Sequence, residues 1–240
     1  MTRQHLTRTL VLATLILSVR AFAAEAKVPL PATPRKQPDA DWEKKHVEFS
    51  EVAKKGGIEL LFMGDSITHG WESSGKQAWA KNFASSNVAN FGIGGDRTEH
   101  ILYRFQNGEL DGISPKLIVL LIGTNNCASG HKPDDIALGI RAILDTVKSK
   151  SPQSKVLLIS ILPRADDPAK EAACTAVNAL IQKFDDNGAN VKFLDIRKSF
   201  MDGEKQNADA FAADHLHLSA KGYDVFAAVI LPAIKQMLGH

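Results

Sequence analysis

A serine hydroxyl attacks an ester carbonyl only when a base takes its proton and hydrogen-bond donors await the charge that develops on the carbonyl oxygen. Four polar stretches of this chain offer such groups. Ser66 ends the run LLFMGDS, where Gly64 permits a tight turn, so the serine can present both its hydroxyl and its own backbone N–H. In GIGGDRT, residues 92–98, Gly94 has no side chain to keep its N–H away from a reacting oxygen. In GTNN, residues 123–126, Asn125 offers an amide NH2 as a further donor. The base is expected near the other end, in FAADHLHLSAKGY. Asp214 and His217 stand three apart, so a helical or turn-like backbone brings both side chains to one side. One carboxylate oxygen can then hold the imidazole Nδ1–H and leave Nε2 facing Ser66. His215 adjoins Asp214, is directed elsewhere, and reads as a packing or rim residue.

Each stretch also has a plainer reading. Taken alone, GDS is an ordinary turn; the other three stretches turn the reading toward a nucleophile. A dinucleotide loop at GIGGDR would need a third glycine at position 97, which is Arg97. Asp214, His215 and His217 could serve zinc, but no further ligand motif accompanies them, and no metal or organic cofactor is expected. His69, His100 and His131 read as loop or helix-surface residues. Arg164 either orients substrate or the Asp214 loop, or makes a structural ion pair. Trp71 and Trp79 are expected in the core rather than as walls of a site. Cys127 and Cys174 are the only cysteines, both expected near one sheet edge, and a disulfide and two separate thiols stay equally open. Cys127 lacks a paired base at a sensible spacing and is not read as a nucleophile.

The elements that must position these groups follow from periodicity. Short apolar runs at 58–63, 88–91, 117–122, 156–162 and 191–196 have the look of buried strands, four of them rich in β-branched residues. Between them lie longer segments with apolar residues three and four apart, such as Ile136, Ile140, Ile143, Leu144 and Val147, and Pro133-Asp134-Asp135 marks that helix's start. Strand alternating with helix implies a three-layer α/β/α sandwich around a five-stranded parallel sheet, with a flavodoxin-like strand order taken by analogy. In such sheets ligands sit beyond the carboxyl ends of the strands. Three of the four polar stretches are strand tips at that edge.

The 240 residues suffice for one α/β domain with a full core. Residues 1–23 carry Arg3 and Arg8, an apolar run from Leu10 to Val19, and Ala21-Phe22-Ala23, the pattern of a cleaved export signal. That run is too short for a span of about 20 residues, so no stable membrane insertion is expected. Residues 24–40, rich in proline and alanine, read as an extended linker, and residues 41–240 as the catalytic domain. Removing residues 1–23 takes away Arg3, Arg8 and Arg20 and no acid, so the formal charge of +2 becomes −1. No basic run with interleaved aromatics remains, which argues against nucleic acid as a partner.

MGDSITHGW, NFGIGGDRT, GTNN and DHLH, in this order, resemble blocks I, II, III and V of the SGNH (GDSL-type) hydrolases. ILPR at 161–164 and FQNGEL at 105–110 extend the resemblance to the catalytic subunits of intracellular platelet-activating-factor acetylhydrolase, over roughly residues 40 to 235. The resemblance implies Ser66 as nucleophile, Ser66, Gly94 and Asn125 as oxyanion donors, and Asp214 and His217 as acid and base. It also implies the five-stranded fold, no cofactor, and a homodimer as one available state. Many superfamily members carry Asp at the place of Asn126, whereas GTNN resembles the acetylhydrolase branch; that branch is cytosolic, whereas this chain carries an export pattern. The expected activity is that of an exported serine esterase removing short acyl groups, foremost acetyl, from a small-molecule or glycan ester. A lysophospholipase- or thioesterase-type acyl hydrolase is the alternative, as is a non-catalytic carbohydrate- or lipid-binding module on the same fold.

Overall fold

The computed structural model describes residues 30–84 and 87–239. The export signal expected over residues 1–23, and the linker as far as residue 29, lie outside the described residues. Five strands, β1 (Leu60–Gly64), β2 (Val88–Gly92), β3 (Leu117–Leu121), β4 (Lys155–Ile159) and β5 (Val191–Leu194), form one parallel sheet in the order β2-β1-β3-β4-β5. That is the expected flavodoxin-like order, whose switch point falls between β1 and β3.

Alternate residues of each strand feed two separate cores. Leu61 and Met63 of β1 join Ile118 and Leu120 of β3 on one face, under α4 (Thr98–Arg104), α6 (Pro133–Lys150) and α7 (Pro168–Ile181). Leu60 and Phe62 join Val119 and Leu121 on the other, under α3 (Lys76–Asn82) and α8 (Ala220–Leu238). A helix on an apolar sheet face buries the stripe that each element alone would leave in water, and this arrangement gives the three expected layers. Trp71 packs between Tyr223 and Phe226 in the second core and is a core residue as expected.

Apolar runs overshoot the strands where the chain leaves the ladder without leaving the core. The run 156–162 continues past β4 because Asn178 on α7 takes over the pairing. Its amide donates to Ile161 O at 2.9 Å and its carbonyl accepts from Ile161 N–H at 2.8 Å. Among the described residues no helix is long and apolar enough to cross a membrane.

The linker reading needs correction over residues 30–39. Leu30–Ala32 makes one 3-10 turn with Pro31 buried. Pro31 O accepts from the Thr98 hydroxyl at 2.8 Å, and Arg35 N–H donates to Glu99 O at 3.0 Å. Asp39 then caps α1 (Ala40–Lys54) by accepting from Trp42 N–H at 2.8 Å. A proline-rich segment has no periodicity by which to announce itself, yet its Pro31 acceptor and Arg35 donor are both met here by the start of α4.

Candidate active site

Each strand tip supplies one side of the site. The chain leaves β1 through Asp65 and enters the short helix α2 (Ser66–His69), so Ser66 occupies a first-turn position whose N–H has no intrahelical acceptor. Asp65 accepts from Ile67 N–H at 2.9 Å, and the Tyr223 hydroxyl donates to Ile67 O at 2.6 Å, which pins this turn from α8. At the end of β2, a side chain on Gly92 would overlap the backbone N–H of His69, so glycine lets the following loop close on α2. A Cβ on Gly94 would lie 4.0 Å from that of Ser66, which sets the Gly94 backbone beside the serine.

The last approach to Ser66 comes from the loop before α8. Asp214 accepts backbone N–H bonds from Leu216 at 3.0 Å and His217 at 2.9 Å, a local turn that folds the two side chains together. The imidazole then bridges: His217 Nδ1 lies 2.6 Å from Asp214 Oδ2 and Nε2 lies 2.8 Å from Ser66 Oγ. Ser66, His217 and Asp214 thus form one continuous hydrogen-bonded chain. This geometry can draw the hydroxyl proton onto Nε2 while the carboxylate holds the ring's orientation.

Asn125, on the short helix α5 (Thr124–Ala128) at the tip of β3, donates one amide hydrogen to Asp96 O at 2.9 Å. An amide NH2 carries a second hydrogen that can donate elsewhere. Two shallow clefts flank these donors. One of about 230 Å³ is lined by Gly94, Trp42, Lys45 and His69, the other of about 290 Å³ by Asn125, Gly95, Arg97 and Ser129, and Gln37 stands between them.

Two carboxyls near the nucleophile are displaced in opposite directions. Burial pushes Asp65 up to about 7, reinforced by Asp96 and opposed by the Ile67 N–H bond and by His217. For Asp214, burial alone would raise the pKa; hydrogen bonds from the His217 ring and from the His217 and Leu216 amides outweigh it and hold the group at about 2. Asp214 is therefore an anion wherever His217 can act as a base.

Ser66, Gly94, Asn125, Asp214 and His217 are brought together as the sequence implied, and His215 faces elsewhere. With Arg164, Met201 and Gln206 it borders a third cleft of about 390 Å³, beside a small hairpin of β6 (Met201–Asp202) and β7 (Lys205–Gln206). Among the described residues no three His, Cys, Asp or Glu side chains gather as metal ligands would. Arg164 is buried and structural, pairing with Asp166 at 2.7 Å and donating to Thr124 O at 3.1 Å, one residue from Asn125. Cys127 and Cys174 are free, buried thiols; hydrogen bonding to Cys174, together with burial, pushes the Cys127 thiol up.

His100 is a correction: it is buried, because its ring accepts the Arg97 N–H at 3.1 Å and seals the start of α4. Gln37, Trp42, Asp96 and Arg104, all close to the oxyanion side, escaped the sequence reading. The one available signal was charge at His100 and Arg104 amid the apolar Ile101, Leu102 and Phe105.

The model of the GDSL-like lipase/acylhydrolase family matches residues 62–225. Platelet-activating factor acetylhydrolase IB subunit alpha2 of Rattus norvegicus is 36% identical over 205 residues, covering 84% of this chain and 87% of its own. Subunit alpha1 of Homo sapiens is 36% identical over 191 residues, covering 78% and 80%. Among solved structures, a GDSL-like lipase from Bacteroides thetaiotaomicron superposes with a TM-score of 0.65 at 24% identity, covering 81% of this chain and 97% of that one, and shares the fold. With its matched residues spanning the strand tips and the Asp214–His217 loop, this ester-hydrolysing enzyme belongs to the GDSL-like lipase/acylhydrolase family.

Proposed function

We propose that the enzyme hydrolyses short-chain oxygen esters, foremost acetyl esters, through a Ser66-His217-Asp214 triad. The observation that carries this reading is the unbroken chain from Ser66 Oγ through His217 to Asp214, with links of 2.8 Å and 2.6 Å. Ser66 Oγ attacks the ester carbonyl as His217 Nε2 takes its proton. The oxyanion is held by the N–H groups of Ser66 and Gly94 and by the Asn125 amide. His217 returns the proton to the leaving alkoxide, and water, activated by the same nitrogen, then releases the acid and frees Ser66.

The acetyl preference is supported by the relatives, which are named acetylhydrolases, and by the modest clefts beside the oxyanion donors. Polar and charged neighbours in those clefts, Gln37, Lys45, Arg97 and Ser129, favour a polar alcohol as leaving group, such as an acetylated sugar. The relatives' action on platelet-activating factor supports a second reading in which the alcohol is a phospholipid. The export pattern of residues 1–23 adds a location outside the cytoplasm to the proposal; a mature protein that still begins at Met1 would overturn that part.

Ser66→Ala should remove nearly all hydrolysis of a chromogenic acetyl ester and leave Tm close to that of the parent. Substantial remaining turnover would sink the nucleophile. A panel of acetylated sugars, platelet-activating factor and acyl esters of rising chain length then ranks the leaving groups. Highest kcat/KM on long acyl chains would overturn the acetyl preference.

A further inference from the structure

We propose that Asp96, locked by Arg104 and Trp42, is the positioning residue of the oxyanion side: its side chain fixes the loop whose carbonyl aims the Asn125 amide. The inference rests on the reading of Asn125 as an oxyanion donor.

The terminal torsion of an asparagine is broad, so an unrestrained amide samples many directions. Here Asn125 Nδ2 donates to Asp96 O at 2.9 Å, which selects one direction and turns the other hydrogen outward. The aim of the donor is therefore only as good as the placement of the Asp96 peptide. That peptide follows Gly94 and Gly95, the latter at φ +76°; beyond the Ile93 N–H bond to Gly64 O at 3.2 Å, the backbone bond that holds it is its own N–H to Ile93 O at 3.3 Å.

The stronger anchor is the buried carboxylate beneath it. Asp96 Oδ2 accepts from Arg104 Nη1 at 2.6 Å, and Oδ1 accepts from Trp42 Nε1 at 2.6 Å and Gln37 Nε2 at 3.3 Å. The His100 ring lies 3.5 Å from Oδ1. Arg104 in turn donates to Phe91 O, just before β2 ends, and to Glu109 Oε1 at 2.8 Å, and His46 Nδ1 lies 2.7 Å from that same Glu109 oxygen. One guanidinium thus ties the start of the loop, at Phe91, to its far side, at Asp96.

Asp96, Arg104 and Glu109 are all 0% exposed. Replacing such buried ionic groups by apolar ones is often neutral or stabilising, so stability alone is a poor reason to place them under a loop. A directional clamp on a catalytic donor is a better one, since misplacing a reacting group by about 1 Å can cost about 100-fold in rate.

The test is a double-mutant cycle on a chromogenic acetyl ester, with Asp96→Asn and Asn125→Ala alone and combined. Asp96→Asn keeps the shape and weakens the grip of Arg104; it should lower kcat by about 10-fold to 100-fold with KM within about twofold. In the Asn125→Ala background the same change should cost less than about twofold, because the donor it aims is already gone. Trp42→Phe removes the N–H donor together with one ring of buried packing and carries the same cycle if Asp96→Asn does not fold; it should cost about threefold to tenfold in kcat, again only while Asn125 is present. Full, additive losses in the Asn125→Ala background, or a loss confined to KM, would overturn the proposal and leave the esterase reading standing. An Asn125→Ala enzyme with unchanged kcat would overturn both the oxyanion assignment and this inference. Loss of the Ser66→Ala effect would instead point to failure of the triad itself.

Discussion

The two arms that meet at Ser66 are built in opposite ways. On the acid-base side, His217 and Asp214 sit on a loop with side chains 42% and 50% exposed, joined by local hydrogen bonds within four residues. On the proposed oxyanion side, Gly94 and Asn125 rest on the buried charges of Asp96, Arg104 and Glu109, tied to α1 through the Trp42 indole and to β2 through the Phe91 carbonyl. The difference fits the roles proposed for the two arms. A base exchanges protons with substrate and water and needs access, whereas a donor that answers a developing charge gains by being fixed before the charge appears.

Four changes bear on that contrast, the first two by setting rate against stability. His217→Ala should lower kcat by about 10⁴-fold or more while Tm stays near that of the parent, since surface changes usually fall within about 0.5 kcal/mol. A large loss of Tm would mean the exposed arm also holds the fold. Arg104→Leu should do both kinds of damage: it strands Asp96 and Glu109 without their cation and should cost about 3–5 kcal/mol in denaturant unfolding. Unaltered stability would erase the distinction between the arms.

Asp65, at the meeting point, sharpens the comparison through pH. In the folded protein it keeps its proton up to about 7, whereas the unfolded chain gives it up near about 3.9. The folded state therefore holds an extra proton between these values, and stability falls as pH rises from about 4 to about 7. Asp65→Asn should remove this share of the fall, read as the wild-type-minus-variant difference in unfolding free energy at about pH 5 and about pH 8. An equal difference at both would show that Asp65 does not titrate there. The smallest effect is expected from His215→Ala, which should leave kcat within about threefold because the ring borders the neighbouring cleft and not Ser66. A loss comparable to that of His217→Ala, restored by added zinc, would break the triad reading.

What was legible in the sequence divides along the same line. The acid-base arm is local: three residues of spacing carry Asp214 to His217, and strand-terminal GDS, GIGG and GTNN announce the tips because the sheet rule concentrates chemistry there. The strands themselves showed as β-branched runs, with ends misjudged where Ile161 pairs with a side chain instead of a strand. The buried clamp was opaque. Nothing in the spacing of Asp96, Arg104 and Glu109 marks them as buried partners, and their burial depends on Trp42 and Gln37, which come from a helix and a segment whose docking no local pattern encodes. His100 was misplaced for the same reason.

One pairing constrains how this sequence can change. Asn126 accepts the Thr98 N–H at 3.0 Å and donates to the Glu99 carboxylate at 2.9 Å, with both Asn126 and Glu99 0% exposed. An aspartate at 126 would set a second buried negative charge beside Glu99, which Arg97 already pairs at 2.9 Å, and remove one of the donors that Glu99 uses. The two positions are therefore coupled: Asn126→Asp should be tolerated better once position 99 has given up its charge than while Glu99 keeps it.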